Sequence, residues 1–284
     1  MARARVQEIM TGAYDQDGLA SFYYDVFGMR IVWRRRPAPD GSRRGLFLSD
    51  GYMVLCIQQA GERGGQSRPE GLQGIGIVID DLHNVDRLAV PYGALSPLTP
   101  RPHPDGEGFV DAEVFDPIGT LVNLTKRGFG IEPLQDLAQM PPGVDPRTLP
   151  DTGTGIRRVV FQARDVESLG GFYRSVFDLD EIDSHSATAE PTSPSLTDGR
   201  THLGFERLST NDDVHSQGRM ARFGFVVDDV RETLRRAAAT GAGEISPPSP
   251  GAVGETGAYI VDPVGVRVDI STGRQAPGIT SMLG

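Results

Sequence analysis

DQDGLASFYYDVF (15–27) and DVESLGGFYRSVF (165–177) are one segment written twice, and that repeat decides the architecture. Asp15, Leu19, Phe22, Tyr23, Val26 and Phe27 match Asp165, Leu169, Phe172, Tyr173, Val176 and Phe177 at a constant offset of 150. The repeat continues downstream, where GIGIVIDDL (74–82) matches RFGFVVDDV (222–230) and DPIGTLVNL (116–124) matches DPVGVRVDI (262–270). The stretch between the copies is rich in Pro, Gly and Asp and has little periodicity, as a linker has. The chain therefore divides into a first domain at 1–128, a linker at 129–154, a second domain at 155–273 and a tail at 274–284.

Each copy is itself composite. Leu19, Phe22, Tyr23, Val26 and Phe27 fall at helical spacing and make one apolar stripe, so a helix is expected over about 18–27, capped by Asp15 or Asp17. A strand at 6–13 precedes it, and strand-like stretches at 30–34, 44–48 and 52–58 follow. The second half repeats the order: GIGIVID is a strand, 82–90 a helix, and 109–124 two strands about the Asp116-Pro-Ile-Gly turn. The fold class is α+β, with four βαβββ modules paired into two curved, cleft-bearing mixed sheets.

Composition narrows the function. With 38 acidic against 28 basic residues the net charge is −10, which argues against a nucleic-acid surface, since that needs a basic excess to displace counterions. The single cysteine, Cys56, permits no intrachain disulfide, and no apolar run approaches a membrane span, so the expectation is a cytoplasmic protein without membrane contact. Cys56 itself lies in the apolar strand MVLCIQ and reads as a small buried hydrophobe. GxGxxG at a strand-to-helix turn and GK[ST] are both absent, so nucleotide chemistry has no support. The expected partner is a small molecule.

Strand alternation assigns the two faces of each sheet. In the second domain Val159, Phe161 and Ala163 face the helix, whereas Arg158, Val160 and Gln162 face away, as do Arg222, Gly224 and Val226 and then Arg267, Asp269 and Ser271. Polar side chains gather there. In the first domain the same face presents Glu8, Met10 and Gly12, then Gly74, Gly76 and Val78, then Leu121, Asn123 and Thr125, and is expected to be apolar and roomy. Tyr14, Tyr24, Tyr52 and Trp33 are candidates for its rim.

The paired D-x(6)-FY signatures, the strands ending in Asp-Asp and the two D-P-x-G turns resemble the vicinal oxygen chelate superfamily, which includes glyoxalase I, bleomycin-resistance proteins and extradiol dioxygenases. The resemblance covers nearly the whole chain outside the linker. It implies a divalent metal held by a His or Gln seven residues before the first Asp, a His seven before the second strand's Asp, and a Glu seven after the Asp of D-P-x-G. Here those positions are Glu8, Gly74 and Asn123 in the first domain, and Arg158, Arg222 and Asp269 in the second. Arginine has no lone pair to give a cation. A shift of one residue offers only Gln73, Ile75, Arg157, Val159, Ala221 or Phe223, and His83, His103, His185, His202 and His215 stand elsewhere. Neither a metal nor any other cofactor is expected.

In the second domain Arg158, Arg222 and Asp269 converge, and alternation in THLGFERL adds His202 and Glu206. These form either a salt-bridge network or a clamp in which arginines hold a carboxylate, phosphate or enolate oxygen. In the first domain Glu8 lies among Met10, Gly74, Gly76 and Leu121, either as an acid/base whose pKa is raised by its surroundings or as a partner of nearby arginines. His202 is the other candidate acid/base. Three functions follow: metal-free binding of an apolar, aromatic or carbonyl-bearing small molecule, which the reading prefers; a metal-free isomerase, lyase or cyclase using Glu8 or His202 with arginine at the oxyanion; and, against the ligand pattern, a divergent extradiol-type dioxygenase. Pairing of copies into a homodimer stays open, because two domains in one chain can satisfy such pairing internally.

Overall fold

The structure, a computed structural model, describes residues 4–34, 45–63, 66–101, 110–126, 128–129, 155–182, 194–208, 218–250 and 256–272. The expected linker from 130 to 154, the tail and His103, His185 and His215 lie outside the described residues. Domain 1 runs β1 (Arg5–Ala13), α1 (Gln16–Phe27), β2 (Arg30–Arg34), β3 (Leu46–Ser49), β4 (Val54–Gln59), β5 (Gly61–Arg63), β6 (Gln66–Arg68), β7 (Gly71–Val78), α2 (Leu82–Ala89), β8 (Thr99–Pro100), β9 (Ala112–Phe115) and β10 (Leu121–Thr125). Domain 2 runs β11 (Gly155–Ala163), α3 (Val166–Phe177), β12 (Asp180–Glu181), β13 (Ser195–Thr197), β14 (His202–Arg207), β15 (Gly218–Val226), α4 (Val230–Ala239), β16 (Glu244–Ile245), β17 (Ser249–Pro250), β18 (Thr256–Val261) and β19 (Arg267–Ser271).

Each domain is built on one large mixed sheet, ordered β2-β3-β4-β1-β7-β10-β9-β8 in the first, where β5 and β6 form a separate two-stranded ribbon, and β12-β13-β14-β11-β15-β19-β18-β16 in the second, where β17 also pairs with β18. The two modules of a domain join through an antiparallel ladder, β1 with β7 and β11 with β15. An aspartate caps every one of these helices: Asp15, Asp81, Asp165 and Asp229 each accept a hydrogen bond from the backbone N–H three residues on, at 2.9–3.1 Å. Asp17 is not the cap of α1; it sits in the first turn and pairs with Arg34 at 2.6 Å. No helix among the described residues is long and apolar enough to cross a membrane.

The helices form a common layer, α1 against α4 and α2 against α3, and the apolar residues of both domains make one continuous core. Rings cross the boundary: Phe27 stacks on Phe225 with centroids 3.9 Å apart, and Tyr23 lies over Phe223 at 6.1 Å. Buried tyrosines need a partner for the hydroxyl. Tyr23 Oη donates to Asp262 Oδ2 (2.7 Å), and Tyr173 Oη donates to Asp116 Oδ2 (2.9 Å). These are the aspartates of the two D-P-x-G turns, and the other oxygen of each accepts backbone N–H groups of its own turn, Ile118 and Thr120 or Val264 and Val266.

A second exchange repeats this symmetry. Asp50 Oδ1 holds its turn through the N–H groups of Tyr52 and Met53, and its Oδ2 accepts from Ile156 N–H in the other domain at 2.6 Å. Asp198 does the same with Arg200 and Thr201, and reaches Val6 N–H at 2.7 Å. Each first strand is thus pinned by a turn of the opposite domain.

Burial pushes Asp116 and Asp262 up to about 6, against the pull of the donors on each. With the native pKa above the unfolded 3.8, the folded chain holds protons that the unfolded chain lacks between those values, so these groups add stability as pH falls through 6. Thermal unfolding should show a higher midpoint at pH 5 than at pH 7.5, and the gain should shrink in the double variant Asp116→Asn/Asp262→Asn. Tyr173→Phe, which strips one donor from a buried carboxylate, should cost about 1.5–3 kcal/mol in urea unfolding.

Candidate ligand-binding faces

The faces turned away from the helices are built by register, and register depends on bulges. The β1–β7 ladder skips Gln7 and Gln73, and the β11–β15 ladder skips Arg157 and Ala221, the equivalent positions. In domain 1 this aligns Glu8, Gly76 and Asn123 in one row and Met10, Gly74 and Leu121 in the next. In domain 2 the rows are Arg158, Gly224 and Asp269, then Val160, Arg222 and Arg267. The expected triplets are therefore split, with Gly74 and Arg222 one row away from their companions. Counting residues back from a helix cap carries no information about how strands pair, which is why the sequence reading set them level.

The domain 1 face is apolar, as alternation implies, but it is not roomy. Met10, Phe47, Val54, Cys56, Val78 and Phe129 form a second buried cluster, edged by Val32, Trp33, Val110 and Leu121. Phe129, which the sequence reading assigned to the linker, lays its ring over Gly76; a methyl group there would collide with that ring and with Glu8. Gly74 has no more space, since the Leu121 carbonyl and Met10 close over it. The glycines are close-approach positions rather than openings. Glu8 is only 2% exposed, and one of its carboxylate oxygens accepts a hydrogen bond from Asn123 Nδ2 at 3.2 Å. Asn123 Nδ2 also lies 2.9 Å from Met10 Sδ, so Glu8, Met10 and Asn123 form one buried knot. Of the aromatic candidates, Trp33 packs against Phe47 at 5.0 Å, whereas Tyr14 and Tyr24 are 65% and 58% exposed and Tyr52 is buried with its hydroxyl 3.5 Å from Asp198.

The domain 2 face carries charge. Arg222 donates through Nε to Asp269 (2.8 Å) and through both terminal nitrogens to Glu206. Arg267 donates to the other oxygen of Asp269 (2.8 Å) and lies over the Tyr259 ring at 4.2 Å. Burial alone would lower the Arg222 pKa, but the hydrogen bonds and charges of Glu206 and Asp269 hold it above its usual value. Arg158 is different. No hydrogen bond or ion pair to a described residue reaches its guanidinium; burial, and then the charge of Arg222, lower its pKa, partly offset by Asp269 and Glu206. His202 is Arg158's neighbour on β14, on the same face.

These donor sets do not fit a divalent metal. The aligned positions supply a carboxylate and an amide in domain 1 and one carboxylate between guanidiniums in domain 2, where transition metals want several lone-pair donors of His, Cys or carboxylate type. Among the described residues, no group of three or more His, Cys, Asp or Glu side chains converges.

Two family profiles match the chain: "Glyoxalase/Bleomycin resistance protein/Dioxygenase superfamily" over residues 5–124 and "Glyoxalase-like domain" over 158–271. No curated protein sequence matches it. Among solved structures, the 2,3-dioxygenase LapB from Pseudomonas sp. KL28 superposes with a TM-score of 0.63 at 15% identity, covering 96% of this chain and 93% of that one. A Mn(II)-bound glyoxalase from Novosphingobium aromaticivorans gives 0.63 at 16% identity, covering 96% and 83%. A mutant of 4-hydroxymandelate synthase from Streptomyces coelicolor gives 0.65 at 15%, covering 98% and 95%. At such identities the likeness is one of fold, and chemistry has to be argued from the sites.

The charged cluster makes a stability prediction. Arg222→Ala leaves Glu206 and Asp269 facing each other without their shared cation, and should cost about 1–3 kcal/mol, less than a fully buried pair because Glu206 is partly solvated. Urea unfolding of the variant checks this, and Glu206→Gln in the Arg222→Ala background should recover part of the loss.

Proposed function

Because the chain belongs to the glyoxalase/bleomycin resistance protein/dioxygenase superfamily as a tandem pair of its domains, we propose that it binds a small apolar or aromatic, carbonyl-bearing molecule on the first domain's sheet, without a metal. The observation that carries this reading is the second apolar cluster on the face opposite the helices, with the hydrogen-bonded Glu8 and Asn123 at its centre. An apolar lining with few, placed polar groups is the usual make-up of a small-molecule site. Asn123, whose amide donates to Glu8 and to Met10 Sδ, would exchange the weaker sulfur contact for a ligand oxygen, and Met10 and Leu121 supply contact for the ligand body. Phe129 fills the space over Gly76, so a ligand ring binding there would displace the Phe129 ring and take its place. Glu8 also supports a second reading: a carboxylate enclosed by apolar groups can take a proton from a carbon beside a carbonyl and return it to a neighbouring carbon, an isomerisation that needs no redox partner. His202, beside Arg158, is the corresponding candidate in domain 2.

The test uses Trp33, the single tryptophan of the chain, which borders this cluster. Aromatic ketones such as acetophenone should change Trp33 emission saturably, the change should survive EDTA, and Phe129→Ala should alter the apparent Kd several-fold. No saturable change, or one abolished by EDTA, would sink the proposal. In D₂O, exchange of the ketone's α-hydrogens that is lost in Glu8→Gln would establish the proton-transfer reading over binding alone.

A further inference from the structure

The tandem repeat offers an internal comparison between the two sheet faces. In domain 2 a small recess is bordered by Gly224, Val226, Asp269 and Ser271. By register the same places in domain 1 are Gly76, Val78, Asn123 and Thr125. Among the described residues, a Cβ on Gly224 would meet nothing beyond its chain neighbours closer than 3.4 Å, whereas one on Gly76 would sit 2.3 Å from Phe129 Cζ and 2.6 Å from Glu8 Oε2. What one domain leaves open, the other fills with a ring of its own chain. The offset of 146 that aligns the two D-P-x-G turns sets Gln275 against Phe129, so an aromatic residue at this place belongs to the first copy alone.

Phe129 is held differently from the side chains around it. Met10, Phe47, Val54, Cys56 and Val78, its companions in the buried cluster, all lie in strands whose backbones are paired in the sheet, and Phe129 lies in none. Gly128, at φ 76°, turns the chain back after β10, a conformation that favours glycine, and the next ring falls on Gly76. The hydrogen bond that accompanies this turn, from Thr125 Oγ1 to the Gly128 carbonyl, is long at 3.4 Å. Moving any strand residue off this face breaks a ladder, whereas moving Phe129 gives up the contacts of one side chain. It is therefore the part of the lining that leaves at the lowest cost.

We propose that Phe129 is an autoinhibitory ring, an internal competitor that occupies the domain 1 site until the ring of a ligand replaces it. The inference rests on the binding reading above and adds its regulation and its ligand class. The group that Phe129 stands in for is a single aromatic ring lying over Gly76, with a carbonyl substituent directed at Asn123. With Phe129 in place Glu8 is only 2% exposed, so the same displacement uncovers the carboxylate. Apparent affinity is the intrinsic affinity scaled by the fraction of molecules whose ring is out; with about one in five out, the apparent Kd rises about fivefold.

The test titrates the intact protein with acetophenone and follows two signals, Trp33 emission and the NMR spectrum of protein carrying ¹³C-labelled phenylalanine rings. The Phe129 resonances are assigned as those missing from Phe129→Ala. In the parent, NOEs between the Phe129 ring and the Gly76 α-protons should vanish with the same midpoint as the Trp33 change, and Phe129→Ala should tighten acetophenone about fivefold or more. NOEs that persist at saturation, binding no tighter in Phe129→Ala, or binding in that variant with the parent silent would overturn the proposal, since the ring would then be a fixed wall. The first two of these results leave the domain 1 binding reading standing. Absence of a saturable Trp33 change in both proteins removes that reading, and this inference with it. If Phe129→Ala folds poorly, the NOE titration of the parent decides alone.

Discussion

Four buried aspartates hold this molecule in one arrangement. Asp50, Asp116, Asp198 and Asp262 each use one carboxylate oxygen to close a turn of their own domain and the other to take a donor from the opposite domain, a tyrosine hydroxyl or a first-strand amide. A buried carboxylate must fill its acceptor sites or forfeit its solvation, so neither domain satisfies these turns alone. The helix layer follows from the same constraint. Tyr23 and Tyr173 lie on the helices, and their hydroxyls reach the turn aspartates only if the two helix pairs share one layer, which also brings Phe27 onto Phe225 and merges the apolar cores.

With the helix-side faces committed to each other, the opposite faces are free to differ, and they do so position by position. Domain 1 has Glu8, Met10, Gly74, Leu121 and Asn123 where domain 2 has Arg158, Val160, Arg222, Arg267 and Asp269. The neighbouring strands diverge in the same sense, since Val54, Cys56 and Gln58 on β4 correspond to His202, Gly204 and Glu206 on β14. One backbone, down to its two bulges, presents an apolar face and a charged one. The two faces therefore cannot favour the same chemical group.

The fold was legible because its determinants are local. Stripe spacing gave the helices, the Asp caps their starts, and alternation the faces, each within a dozen residues. The repeat then supplied the pairing of modules without any knowledge of contacts. The sites were legible only as far as locality reaches. Alternation identified the residues of each face, Glu206 and His202 among them, but the row in which Gly74 or Arg222 stands is decided by bulges at Gln73 and Ala221 that leave no mark in composition. Phe129 was hidden differently, a lone ring at the head of a Pro-, Gly- and Asp-rich stretch whose average character is that of a linker. The aspartate exchanges escaped notice because a donor such as the Ile156 N–H is backbone, 106 residues from Asp50, and no side chain signals it.

The division of labour between Arg158 and Arg222 shows why position alone does not assign a role. Both are arginines on one face, at positions where the resemblance to the vicinal oxygen chelate superfamily leads one to expect metal ligands. Arg222 stands in the same row as Arg267 and within reach of β14 and β19, so carboxylates come to it from both sides, and its charge is spent on ordering the sheet. Arg158 stands one row off, between His202 and Gly224, where neither strand offers an acid in the same register. The nearest, Asp269, has its two oxygens taken by Arg222 and Arg267. Had residue 224 been acidic, Arg158 would be another structural ion pair. A glycine there offers no acid, and the Arg158 guanidinium lies instead over Gly204 on β14, balanced in part by the charges of Asp269 and Glu206.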